Sequence, residues 1–199
     1  MNIINAAMEV FAQNEYKRAS TDLIAAKAGV SKGLLFYYFH NKKELYMFMY
    51  DYMVKVMQEQ VADEGLMEIT DFFELLRYSA WKKQAVLIKN PYIMELAVKT
   101  FYSEGEAVSE DLKKMNTLQE RELYRLYFSQ IDLNKFKKDV DPFHIYKRLR
   151  WMADGYMHDV QMSGNQLNLE ELMQEFDEWT EMFRKLTYKE EYQNECNGD

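Results

Sequence analysis

Three histidines (His40, His144, His158) and one cysteine, Cys196, are the whole supply of imidazole and thiol in the 199 residues. Asp154 and His158 stand at i and i+4, but two ligands make no metal site, and pairing on a helix surface accounts for the spacing. The chain has no glycine-rich phosphate loop, no nucleophile elbow and no cysteine near a histidine. Neither an enzyme nor a bound metal or cofactor is expected. The residues that can do chemistry are hydroxyls and lysines at the starts of helices. Ser20 and Thr21 open one expected helix and Ser31 opens another, where free backbone N–H groups and the positive end of the helix dipole attract an anion such as phosphate. The same serines would serve as N-caps in any helical protein, and the two roles are compatible.

The elements that carry these residues follow from period and punctuation. Ile3, Ile4, Ala7, Val10 and Phe11 recur at three and four, which predicts an amphipathic helix over 2–14. Ser20 caps a helix over Thr21–Ala28, whose small apolar face of Ile24, Ala25 and Ala28 admits a close neighbour, and Gly29 stops it. After Val30 and Ser31, a third helix runs from Lys32 to about Tyr38. Two short helices joined by a three-residue turn containing glycine are the signature of a helix-turn-helix. In such a unit the second helix turns small or polar groups to a DNA groove and apolar groups to the core. Lys32, Gly33 and Leu34 followed by Leu35 and Phe39 can do both. Gly33 would let backbone approach the duplex, Lys32 can reach guanine O6 or N7, and the hydroxyls of Tyr37 and Tyr38 can reach phosphate. Standing alone, Lys32 could equally be a solvated lysine and the tyrosines half-buried aromatics.

Further helices are expected at about 42–63, 68–89, 91–102, 108–131, 142–162 and 169–188, about nine in all, with Asp141-Pro142 as a capped start and Ser163-Gly164-Asn165 as a break. Only two prolines and seven glycines interrupt the chain, which favours helices over a turn-rich sheet. The net charge of −8 argues by itself against a nucleic-acid partner. Residues 1–50 nevertheless carry six Lys/Arg against four acids, a balance of +2 that leaves −10 for the rest. A mildly basic head on an acidic body suits a protein that brings one end to phosphates. Strongly apolar stretches such as Leu45–Tyr50 fall far short of the roughly 20 residues that span a bilayer, and no basic segment precedes the N-terminal apolar residues. A cytoplasmic protein with no membrane partner is expected.

Ile3-Ile4, Ala6-Ala7, Val10-Phe11, Ser20-Thr21, Ile24-Ala25, the run Ala28-Gly29-Val30-Ser31-Lys32-Gly33-Leu34-Leu35-Phe36-Tyr37-Tyr38-Phe39, and then Lys42 and Leu45 closely resemble the DNA-binding domain of the tetracycline-repressor family. The resemblance covers about the first quarter of the chain. It implies an all-α fold, with a three-helix helix-turn-helix domain at 1–47 joined through the fourth helix to a ligand-binding and dimerisation bundle at 48–199. It also implies DNA contact by Lys32, Tyr37 and Lys42, extends this to Phe36 and Tyr38, and adds phosphate contact to the capping by Ser20 and Ser31. One position departs from the pattern: Glu15 stands where the family usually has glycine, so the turn after the first helix is expected to differ in shape.

Beyond residue 48 the resemblance is architectural. Trp151 to Tyr156, with Asp154-Gly155, looks like part of the penultimate helix of such proteins, and in the family the last two helices pair with those of a second subunit. The final helix supports a homodimer in its own right. Leu169, Leu172, Met173, Phe176, Trp179, Thr180, Phe183 and Leu186 repeat at three and four, and Trp179 and Met182 widen the apolar arc beyond what one core face needs. Phe176, Trp179 and Phe183 are the interface candidates. Aromatics make up 15% of the chain and there are 14 methionines, a composition that can line an adaptable apolar pocket. Tyr78, Trp81, Phe101, Tyr102, Tyr124, Trp151 and Tyr156 are candidates for contacting a small-molecule effector, and each could instead be plain core. The expected function is a sequence-specific DNA-binding regulator, a repressor released from a palindromic operator by an apolar or aromatic ligand. The alternative is a helical dimer that binds a small molecule or protein and has lost useful DNA affinity.

Overall fold

A computed structural model describes residues 3–101, 108–112, 114 and 124–194. The regular structure among them is helical: α1 Ile3–Gln13, α2 Thr21–Ala28, α3 Lys32–Phe39, α4 Lys42–Val61, α5 Glu64–Glu68, α6 Phe72–Lys89, α7 Pro91–Phe101, α8 Pro142–Met162 and α9 Leu169–Thr187. Residues 109–112 and 124–127 are also helical, and one isolated antiparallel bridge joins Phe136 to Tyr188. Among the described residues, no helix is long and apolar enough to cross a membrane.

The helix expected over 68–89 begins instead at Phe72, and a separate short helix, α5, precedes it. Two carboxylates make the division. Asp63 accepts from the Leu66 backbone N–H at 2.9 Å and starts α5; Asp71 accepts from Phe73 and Glu74, each at 3.0 Å, and starts α6. The apolar period runs through Ile69 and Thr70, so only the caps reveal the break. The expected helix at 108–131 stops earlier, since residues 128–130 form turns and Asp132 caps a 3-10 turn over Leu133–Lys135.

By its internal contacts the chain forms two compact units, one of residues 1–60 and 85–121, the other of 61–84 and 122–199. In the first, α1 is buried nearly all round. Ile4, Ala6, Ala7, Met8, Val10, Phe11 and Ala12 are inaccessible because α2 covers one side of the helix and α7 another. Lys99 on α7 donates to the Ala12 carbonyl, placing a cation at the negative end of α1. Ile24, Ala25, Ala28, Leu35, Leu45, Tyr46 and Met49 complete the same core, with Ile93, Leu96, Val108 and Leu112 packed into it. Leu35 is wholly buried, so the core fixes which face of α3 turns outward.

The second unit is built around an ion pair. Arg184 of α9 places Nη2 2.8 Å from Asp71 Oδ1, with the two side chains only 1% and 4% exposed. Lys135 and the Tyr188 hydroxyl donate to the other carboxylate oxygen at 3.1 and 3.2 Å, and the same hydroxyl accepts from the Phe72 N–H at 3.2 Å. Phe72, Phe73, Phe128, Phe136 and Tyr188 enclose the group, and the guanidinium lies over the rings of Phe73 and Tyr188. Burial pushes the Asp71 carboxyl up, but the Glu74 N–H, Arg184 and Lys135 together hold it below the usual carboxylate range.

Candidate nucleic-acid interface

The turn between α2 and α3 is set by local chemistry. Ser20 Oγ accepts from Leu23 N at 3.3 Å and Ser31 Oγ from Leu34 N at 3.1 Å, so both serines cap. Gly29 has φ +71°, a left-handed conformation that suits glycine, and the N–H groups of Gly29 and Val30 close the end of α2 on Ala26 and Ala25.

With Leu35 inside and Phe36 and Phe39 half-buried against the core, α3 presents Lys32, Gly33, Leu34, Tyr37 and Tyr38 to solvent. Tyr37 is 76% and Tyr38 61% exposed, far more than core tyrosines retain, and their rings meet edge to face at 5.4 Å. Gly33 is informative because the protein itself does not require a glycine there. Its φ is not positive, and a Cβ would meet only Ser31 Oγ, at an ordinary 3.9 Å. A bare backbone on an exposed helix face suits the close approach of another molecule.

The cations of this unit are mostly engaged. Lys32 Nζ lies 2.8 Å from Asp22 Oδ1 and 3.1 Å from Oδ2. Lys42, half-buried at the start of α4, donates to the Lys17 carbonyl at 3.1 Å and sits 4.8 Å above the Tyr16 ring, so it pins the α1–α2 turn. Lys27 pairs with Glu9 at 2.9 Å and Lys43 with Asp111 at 2.6 Å, and the Asp111 partner raises the Lys43 pKa. Asn41 caps α4 through a reciprocal exchange with Glu44 at 2.9 Å. The side chains of Lys17 and Arg18, exposed on that first turn, have no ion-pair partner among the described residues. In the sequence Lys17 and Arg18 count only as charge, and no spacing or motif singles out Asp22. The departure at Glu15 is accommodated: its φ is not positive, and its carbonyl accepts from Arg18 and Ala19 at 2.9 Å.

The five effector candidates whose side chains are described lie in more than one place. Tyr78 and Trp81 come together in a groove of about 440 Å³ lined by Ile69, Glu74, Arg77, Tyr78, Trp81, Met173 and Asp177. Tyr78 donates to Asp63 at 2.9 Å, and a Cβ at Gly65 would stand 2.9 Å from the Tyr78 hydroxyl, so a larger residue there would displace the end of that ring. Lys82 pairs with Asp63 and lies over both rings; its bond, with the Leu66 N–H and the Tyr78 hydroxyl, holds the Asp63 carboxyl down at about 2. Tyr124 belongs to a separate cluster with Phe128, Phe143 and Tyr146, at 4.6, 4.8 and 5.3 Å, where burial raises its pKa. Trp151 is 55% exposed beneath Lys147, and Tyr156 meets Trp179 across α8 and α9. The Phe101 side chain and Tyr102 lie outside the described residues. Of the dimer candidates, Phe176, Trp179 and Phe183 are all half-buried in the single chain, while Met182 and Leu186 beside them are exposed. Among the described residues, no group of three or more His, Cys, Asp or Glu could hold a metal ion.

Among the described residues the regular structure is helical, and a capped helix-turn-helix at the N-terminal end turns one face of its second helix to solvent, the arrangement of a DNA-reading module. Residues 3–47 match the family described as bacterial regulatory proteins, tetR family. That similarity covers about the first quarter of the chain. The chain is 30% identical over 117 residues to the uncharacterized HTH-type transcriptional regulator YhgD of Bacillus subtilis, a match that takes in 57% of this chain and 59% of that protein's length. Its fold is similar to that of the fatty acid degradation regulator FadR from Bacillus halodurans, with a TM-score of 0.71 at 18% identity over 89% of this chain and 95% of the other. The Bacillus subtilis FadR, solved in complex with stearoyl-CoA, gives a TM-score of 0.68 at 18% identity, with the same coverage of 89% and 95%.

Proposed function

We propose that the chain is a cytoplasmic, homodimeric transcription repressor that binds a palindromic operator through residues 1–47 and is released when residues 48–199 take up an apolar or aromatic small molecule. The observation that carries the DNA reading is the exposed face of α3. There Gly33 has no conformational or packing reason of its own, and it is flanked by Lys32, Tyr37 and Tyr38, which have donors for base edges and phosphates. Ser20, Thr21 and Ser31 supply phosphate contacts at two helix N-termini. Phe36 supports the face from behind, and Lys42 acts at the start of α4. One recognition helix reaches only a few base pairs, so a dimer that places two of them in successive major grooves is needed for tight binding.

Phe176, Trp179 and Phe183 are the proposed interface anchors. The aromatic residues of the second unit supply the effector contacts, Tyr78 and Trp81 first among them because they share a groove. Since the Bacillus subtilis FadR is described in complex with stearoyl-CoA, a protein of this fold takes up a ligand with a long apolar acyl chain, which supports the reading.

Selection from a random duplex library, followed by a gel shift with DNA adjoining the gene, tests the reading. Enrichment of a palindrome that competes well above random duplex is expected; recovery of no preferred sequence would overturn it. Charged replacements of Trp179 and Phe183 should give monomers by sedimentation and lower the affinity for the selected palindrome by about 10²–10⁴-fold as the tethered second head is lost. Wild-type protein that sediments as a monomer at micromolar concentration would refute the dimer.

A further inference from the structure

We infer that Asp22 determines the sequence specificity of the proposed interface as a positioning residue, acting through Lys32. This rests on the DNA-binding reading above. The bond joins the first turn of α2 to the first residue of α3, and each side chain is more than half exposed, at 67% for Asp22 and 54% for Lys32. A pair so exposed contributes little to stability, so holding the fold together does not account for it. Its surroundings are those of a contact surface: the bare backbone of Gly33 follows Lys32, and Leu23 and Leu34 are 44% and 42% exposed.

A carboxylate on a surface offered to DNA is costly, because it repels phosphates whatever the sequence. What it provides is a defined position for a flexible cation. A lysine has a four-carbon stem and a compact charge that otherwise follows the nearest phosphate. Held by Asp22, the ammonium has N–H donors left over for guanine O6 or N7 and is kept from straying to the backbone. Asp22 therefore lowers affinity for DNA in general and preserves the preference for the base pair that Lys32 reads, so that specificity arises from what is repelled as well as from what is bound.

The test uses the full-length protein and a random 30-base-pair duplex library as the probe. Asp22→Asn should bind random duplex several-fold more tightly than wild type, and its ratio of selected-site to random affinity should fall by about tenfold, with the loss of preference confined to one or two base pairs. Asp22→Glu, which keeps the charge, should restore much of the ratio. In a Lys32→Ala background, Asp22→Asn should still raise affinity for random duplex but leave base preference unchanged, which separates positioning from plain repulsion. Glu9→Gln, which breaks the Lys27 pair in the same unit, should not alter base preference. Should Asp22→Asn unfold, Asp22→Ser replaces it in the same assay. An Asp22 variant that folds and selects the wild-type sequence with the wild-type ratio overturns the inference and leaves the DNA-binding reading standing. Wild-type protein that selects no sequence overturns both.

Discussion

The two units each contain an aspartate paired with a cation at 2.8 Å, and the two pairs do opposite jobs. Arg184 and Asp71 are sealed among five aromatic rings, with every carboxylate oxygen bonded by Lys135, Tyr188, Arg184 or the start of α6. Lys32 and Asp22 share the same distance in open solvent. In the low dielectric of the first site, removing one partner strands a charge that cannot be rehydrated; in the second, water replaces the lost partner. Equal geometry therefore predicts unequal consequences. The buried pair holds the fold and the exposed pair is free to serve recognition.

The sharpest way to break this contrast is Arg184→Met. It should destabilise the protein by about 3–5 kcal/mol, read by urea denaturation, because Asp71 would keep only Lys135 as a charged partner. A loss comparable to that of an exposed pair would mean that the enclosure is leakier than the rings imply. The next effect is on DNA. Lys32→Ala should relax preference at one or two base pairs by about 1–3 kcal/mol of discrimination. Lys42→Ala should weaken binding to all sequences and flatten the salt dependence by about one unit of slope. Because Lys42 also pins the Lys17 carbonyl, the second variant should loosen the α1–α2 turn, visible as faster hydrogen exchange at Arg18 and Ala19. Equal loss for every sequence in both variants would show that Lys32 does not read bases.

Acid titration gives a further test. Asp71 and Asp63 are both held below their ordinary pKa, Asp63 at about 2. A depressed carboxyl contributes stability that is complete above its unfolded pKa of about 4 and is lost as pH falls through the folded value. Asp63→Asn should therefore reduce the pH dependence of the unfolding midpoint between about pH 4 and 2, and Arg184→Met should move acid unfolding to higher pH. The smallest effect belongs to the exposed pair, since Asp22→Asn should change unfolding stability by no more than about 1 kcal/mol. A larger loss would erase the contrast between the two aspartates.

The elements and the turn of the head were legible in the sequence because their determinants are local. Helical period, the Ser20 and Ser31 caps and the Gly29 stop all act within four residues, and the backbone obeys each of them. The exposed face of α3 was legible for the same reason: once Leu35 is assigned to the core, Gly33 and Tyr37, two residues to either side of it, fall on the opposite face of the helix. Period failed where one apolar run spans two helices, at Asp71, since a cap in a continuous stripe leaves no mark on the spacing. It also could not tell which aromatics meet. Tyr78 and Trp81 share a groove while Tyr124 stacks on Phe128 and Trp151 faces solvent. A 3.6-residue repeat says which face of a helix is apolar but not what that face meets. Asp22 meeting Lys32 across a turn, and Asp71 meeting Arg184 across 113 positions, were decided by packing alone. Contacts between residues far apart in the chain depend on how helices dock, and only the tertiary structure contains that information.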